Sequence, residues 1–144
     1  MTVPIGGGSP ATLLRTLYPG LTGPGAIAID STNLYVGAMA PSMDAGYVGT
    51  LMKIPLDGGT PVILATGDLT TGDPQYIAVD ATTVYWTNTG ALQVPANGSV
   101  MSVPIDGGTP TVLSAGEVQP TGIAVDSTSV YWGSATGLWK RTPK

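Results

Sequence analysis

The stretch 76-YIAVDATTVYW-86 returns as 122-GIAVDSTSVYW-132 and, in a looser form, as 26-AIAIDSTNLYV-36. A second phrase travels with it, reading 52-MKIPLDGGTP-61, 101-MSVPIDGGTP-110 and, at the opening residues, 1-MTVPIGGGSP-10. Asp30, Asp80 and Asp126 lie 50 and 46 residues apart, and Met1, Met52 and Met101 lie 51 and 49 apart. The repeating unit is therefore about 48 residues, and the 144-residue chain holds three. Self-similarity at such a period marks one supersecondary unit stacked on its neighbours, because a single unit cannot bury its own apolar face.

Within a unit, four short runs of strand-forming residues are separated by turn chemistry. They are A (IAVD), B (VYW), C (MKIP or MSVP) and D (VILA or TVLS). Between A and B, an Asp followed by Thr or Ser suits a tight hairpin, since the carboxylate can accept bonds from backbone amides two residues on. Between C and D, Asp-Gly-Gly-Thr-Pro supplies Gly for positive φ and a Pro that avoids a central ladder position. No stretch shows convincing helical periodicity. The best helical candidate, 11-ATLLRTLY-18, aligns with 111-TVLSAG-116 and reads better as a strand D. The expected class is all-β, with blades of four antiparallel strands, about three per chain, as in a β-propeller.

The strings IAVD…VYWTN and IAVD…VYWGS, each followed by Gly, a Met-x-apolar-Pro strand and DGG, resemble the YWTD repeats of low-density-lipoprotein-receptor-type propellers and, less closely, NHL repeats. The resemblance covers nearly the whole chain and is most specific at Tyr85-Trp86-Thr87-Asn88 and Tyr131-Trp132. It fades at Tyr35-Val36-Gly37. Asn88 stands where those repeats carry Asp, and Gly133-Ser134 replaces the last two residues, so the inter-blade Asp contacts of that family do not carry over intact. The resemblance implies a six-bladed ring with A innermost and D outermost. It implies no single activity, since a fold hosts many functions.

Composition removes whole classes of chemistry. With no Cys and no His there is no disulfide framework, no Cys or His metal site and no Ser-His-Asp triad. Five basic residues and a net charge of −4 leave no electrostatic footprint for nucleic acid or an anionic membrane. Gly and Pro make up 34 residues, but the recurring Val, Ile, Tyr and Trp runs argue for order. Low charge, abundant Thr and Ser and absent Cys suit an exported protein, extracellular or periplasmic, and no signal-peptide layout opens the sequence.

The units divide as a half blade C-D at residues 1–21, blades at 22–67 and 68–116, and a partial blade A-B-C at 117–144. Propellers close with four to eight blades, so something must complete the ring. The expected partner is a second copy, with the C-terminal A and B strands of one chain meeting the N-terminal C and D of the other to give six blades. Closure by further blades of a longer chain is the alternative. Strand C is then present twice at the junction, at residues 1–5 and 138–143.

In this topology the A–B and C–D turns share one face and the B–C and D–A links the other. The first are short and nearly identical between units. The second differ, at 37–50, 87–99 and 133–137 and at 66–75 and 115–121. Loops on a rigid scaffold carry binding residues, so the variable rim is the expected functional face. Its ligand-binding candidates are Asp73, Gln75, Asn88, Glu117, Gln119 and Tyr47, with Trp139 a further one. Asp73 and Glu117, taken as comparable positions before strand A, are the only candidate metal ligands. Ca²⁺, a hard cation that takes several oxygen ligands, is the cofactor they would fit, and no other is implied. Trp86 and Trp132 read as inter-blade packing, and Asp30, Asp80 and Asp126 as hairpin caps. The expected function is a non-enzymatic binding or scaffold module for protein or glycan. A Ca²⁺-dependent propeller hydrolase or lactonase and a purely structural repeat are the alternatives.

Overall fold

A computed structural model describes residues 22–43, 46–67, 72–90 and 96–144. The half blade read at 1–21 lies outside the described residues. Three antiparallel sheets follow one another along the chain. The first contains Thr22–Ile29 (β1), Asn33–Ser42 (β2), Gly46–Pro55 (β3) and Val62–Thr66 (β4) in sequential order. The second repeats it with Pro74–Val79 (β5), Thr83–Asn88 (β6), Gly98–Pro104 (β7) and Thr111–Glu117 (β8). The third has three strands, Thr121–Val125 (β9), Val130–Ser134 (β10) and Gly137–Arg141 (β11), with β10 central. The described residues hold no helix. The expected all-β meanders are what forms.

The turns explain why the strands pair as they do. In each A–B hairpin the Asp backbone N–H donates to the carbonyl three residues on, at 3.0 Å for Asp30, Asp80 and Asp126 alike. The residue two places after each Asp then ties the hairpin to the end of strand C: Leu56 donates to Thr32 at 2.9 Å, Ile105 to Thr82 at 2.8 Å and Lys144 to Thr128 at 3.2 Å. In the C–D turns Gly58 and Gly107 hold φ of +90° and +92°, a region costly to residues with a Cβ.

Strand alternation sends neighbouring side chains to opposite faces, and adjacent residues in strand B therefore pack on different sheets. Tyr35 and Leu51 of the first sheet, with Leu64, meet Val84, Trp86 and Val103 of the second. Tyr85 and Val100 of the second meet Val130 and Trp132 of the third. The two Trp residues are 4 % and 5 % exposed, so they are packing residues, as read from the sequence. Intersheet burial of such large aromatics is the main apolar glue between the units.

Candidate functional site

The B–C and D–A links gather on one rim. Gly67 of one D–A link donates to Gly49 of β3 at 2.7 Å, and Ala135 of the last B–C link donates to Val118 of the other D–A link at 2.8 Å. The structure redraws this rim in three places. The segment 37–50 is mostly not loop, because β2 and β3 pair continuously from Asn33–Pro55 to Ser42–Gly46. Tyr47 is accordingly a strand residue opposite Pro41, 44 % exposed. Asn88 is also a strand residue, buried at the end of β6, and its Nδ2 donates to Ser99 Oγ at 3.0 Å. Glu117 ends β8, buried, and accepts the Ser114 hydroxyl at 2.6 Å.

Asp73 and Glu117 are not counterparts. Counted back from the repeated Asp80 and Asp126, Asp73 corresponds to Gln119, and Pro74 to the buried Pro120. Gln119 is exposed with φ +48°. Gln75 falls where the β5–β6 register slips between Pro74 and Tyr76. Asn88 and the neighbours of Asp73 do meet. Between the first and second sheets a cavity of about 180 Å³ is lined by Gly49, Leu51, Gly72, Pro74, Trp86 and Asn88. Glu117 instead lines the corresponding cleft between the second and third sheets, and Tyr47 lines neither. Among the described residues no three Asp or Glu side chains converge as a metal site would require.

The opposite face carries the regular electrostatics. Oδ1 of Asp30 accepts the N–H groups of Thr32 and Asn33, both at 2.7 Å, and Oδ2 accepts the Tyr35 hydroxyl at 2.7 Å. Asp80 repeats this with Thr82, Thr83 and Tyr85 at 2.8, 2.9 and 3.1 Å, and Asp126 with Thr128, Ser129 and Tyr131 at 2.7, 2.8 and 2.8 Å. The amide bonds were foreseen from the Asp-Thr/Ser pattern. The Tyr clamp was not, although the five-residue Asp-to-Tyr spacing in all three units is its signal.

These bonds set the acidity of the carboxyls. Burial works to raise Asp30, and the donors from Thr32, Tyr35 and Asn33 outweigh it and hold it well below the usual range. Burial likewise opposes the shift at Asp80, where the Lys144 ammonium at 2.5 Å and the turn donors bring it to about 2. At Asp126 the Thr128 amide leads the same downward shift. A carboxyl depressed in the folded state leaves the unfolded chain holding more protons, so the stabilisation is complete above the unfolded value of about 4 and disappears as pH falls toward 2. Replacing Asp80 with Asn is therefore expected to lower the urea midpoint at pH 7, by the equivalent of about 0.5–2 kcal/mol if the turn behaves as a helix cap does. The gap between variant and wild type should close on acidification to about pH 2. An equal gap at both pH values would show that charge is not what holds the turn.

Two lysines tie sheet to sheet on this face. Lys53 Nζ donates to the Ile105 carbonyl at 3.0 Å and lies 3.5 Å from Asp106, and Lys144 joins the third sheet to Asp80 of the second. The cleft between the second and third sheets, about 690 Å³, holds a pair that sequence reasoning only half located. Trp132 and Trp139 face each other across β10 and β11. Trp139 Nε1 donates to Ser134 Oγ at 2.9 Å, and the buried Trp132 Nε1 has no partner. Arg141 crosses to the Leu113 carbonyl.

No family model and no curated protein matches the chain. Among solved structures, the chain superposes on the crystal structure of a nidogen/laminin complex with a TM-score of 0.64 and 19 % identity, over 87 % of this chain and 45 % of that one. The fold is that of a YWTD-type β-propeller. The three sheets are thus propeller blades, with β1, β5 and β9 the A strands. The chain spans less than half the length of the propeller-bearing chain it matches.

Proposed function

We propose that this chain is a non-enzymatic binding or scaffold module, a half-propeller that presents its B–C/D–A rim to a protein or glycan ligand. The contrast between the two faces carries the reading. On one face the Asp turns repeat the same bonds three times. On the other, the links at 43–45, 89–97 and 135–136 differ in length and composition, as expected where a rigid scaffold varies its recognition surface. The matched propeller comes from a complex of two proteins, nidogen and laminin, which supports a protein ligand as the first class to test.

The exposed or half-buried rim residues Tyr47, Asp73 and Gln119 are the proposed contacts. Glu117 and Asn88 serve the rim by holding their own strands. Biolayer interferometry against a glycan array and a panel of extracellular-matrix modules, a laminin fragment included, tests this. Binding to at least one probe is expected, weakened about tenfold or more by combined Tyr47→Ala, Asp73→Ala and Gln119→Ala and unchanged by Asp57→Ala on the opposite turns. Ca²⁺-dependent turnover of lactones, or equal loss with Asp57→Ala, would overturn it.

A further inference from the structure

The cavity of about 180 Å³ between the first and second blades has walls of uneven chemistry. Leu51, Ala65, Pro74, Met101 and Pro110 make most of them apolar. Three lining side chains carry polar atoms: Thr66, exposed at the end of β4, and Trp86 and Asn88 of β6. No charged side chain lines the space.

Trp86 packs toward Tyr35 and Leu51 of the first blade. Asn88, two residues on, shares that face of β6, since side chains two apart on a strand stand on one side about 7 Å from each other. The two are 4 % and 5 % exposed. Asn88 spends its Nδ2 on Ser99 Oγ at 3.0 Å, and among the described residues its Oδ1 receives no donor and Trp86 Nε1 finds no acceptor. The equivalent indole N–H in the next seam, that of Trp132, is also without a partner. Buried polar atoms are normally paired. A free donor and a free acceptor on one strand face, both in the wall of a void, call for a group that brings the opposite pair.

Size and polarity narrow that group. Sites for whole small molecules run to roughly 300–1,000 Å³, whereas an apolar cavity of about 150 Å³ accepts a benzene ring. The space here therefore holds one substituent or one very small molecule. Water fills it poorly, because a buried water needs about 2–4 polar partners and several waters would share these few. An ion would lie unpaired among apolar walls at a large desolvation cost, so the group is neutral. A trans secondary amide meets each condition. Its carbonyl accepts from the Trp86 indole, its N–H on the other side of the plane donates to Asn88 Oδ1, and its methyl rests on Leu51 and Met101.

We propose that this cavity binds a small neutral secondary amide, presented either as the acetamido group of an N-acetylated sugar or as a free N-alkyl acetamide. The inference rests on the binding-module reading above and gives it a ligand chemistry. Its test is the indole region of the nitrogen-proton NMR spectrum, where three Trp residues give three resonances, assigned with Trp132→Phe and Trp139→Phe. The Trp86 resonance should shift saturably with N-acetylglucosamine or N-methylacetamide, with dissociation constants on the order of millimolar for so small a group, and should not move with glucose. N,N-dimethylacetamide, which keeps the carbonyl and lacks the N–H, should bind about tenfold more weakly than N-methylacetamide, as should N-methylacetamide to Asn88→Ala. Ala65→Leu, which fills the cavity, should abolish the saturable shift while the β-sheet circular dichroism persists. Tighter binding of the sugar assigns the amide to a glycan, and tighter binding of N-methylacetamide assigns it to a free small molecule. No saturable shift with either amide, an equal shift with glucose, or binding undiminished in Ala65→Leu would overturn the inference. Should Ala65→Leu fail to fold, equal affinity of the unaltered chain for N-methylacetamide and N,N-dimethylacetamide overturns it instead. A rim partner found by interferometry without amide binding in the cavity sinks this inference alone, and amide binding without any rim partner sinks the rim reading alone.

Discussion

Replacing Trp86 with alanine is expected to cost about 3–5 kcal/mol, the range for truncating a large buried aromatic. The indole is 4 % exposed and stands where the first and second blades meet, against Tyr35, Leu51 and Leu64. It also walls the cavity of about 180 Å³ beside Asn88, so truncation enlarges a void already present instead of letting neighbours collapse into it. The loss is not confined to one strand, because Trp86 sits opposite Ile77 on one side and Met101 on the other. Domains of this size are stable by about 5–15 kcal/mol in all, so a substantial unfolded population should appear. Tyr76→Ala is the control. That ring is 45 % exposed on β5, and its loss should cost about 1 kcal/mol or less. Urea midpoints measure both. A shift at Trp86 no larger than at Tyr76 would mean that the two blades are not held together by this aromatic.

Much of this architecture could be read from eleven-residue phrases. Recurrent Asp-Thr/Ser turns gave hairpins, recurrent Gly-Gly turns gave the second reversal, and Trp86 and Trp132 on strand B gave inter-blade anchors, while the opposite-facing role of the preceding Tyr shows only in the packing. Legibility failed where local preference and ladder pairing disagree. Residues 37–42 read Gly-Ala-Met-Ala-Pro-Ser, poor strand formers, yet they extend β2 because β3 offers an uninterrupted partner. This is the context dependence that limits β-propensity. The rim was misjudged for a related reason. The D–A links differ in length, so Asp73 and Glu117 match on neither count: forward from Leu64 and Leu113 Glu117 pairs with Asp68, and back from the capped Asp it is Gln119 that pairs with Asp73. The Asp-Tyr clamp was written in the spacing throughout. It needed only the recognition that residues five apart across a tight hairpin can bring a carboxylate and a phenol together.

The second large effect is expected at two glycines whose backbone conformation is ordinary and whose surroundings are not. A Cβ on Gly49 would stand 2.5 Å from the Gly72 carbonyl oxygen and 2.8 Å from Asp73 Cα. One on Gly37 would stand 2.6 Å from the Pro74 carbonyl oxygen and 2.7 Å from Pro74 Cβ. In both cases the obstacle is the chain entering β5, whose backbone atoms cannot rotate away as a side-chain tip can. Accommodating a methyl group means moving the second blade's innermost strand off the first, against the packing that buries Tyr35 and Trp86. Gly37→Ala and Gly49→Ala are each expected to cost about 1–3 kcal/mol, the range for overpacking a close contact. Since both push on residues 72–74, the double variant should cost less than the two together: once the strand has moved for one methyl, part of the strain of the second is already relieved. Gly122→Ala, with nothing within 4 Å of its added Cβ, should leave the denaturation midpoint unchanged or raise it slightly by restricting the unfolded chain. Strict additivity at 37 and 49, or a neutral Gly37→Ala, would show that the two blades do not approach each other through glycine at this seam.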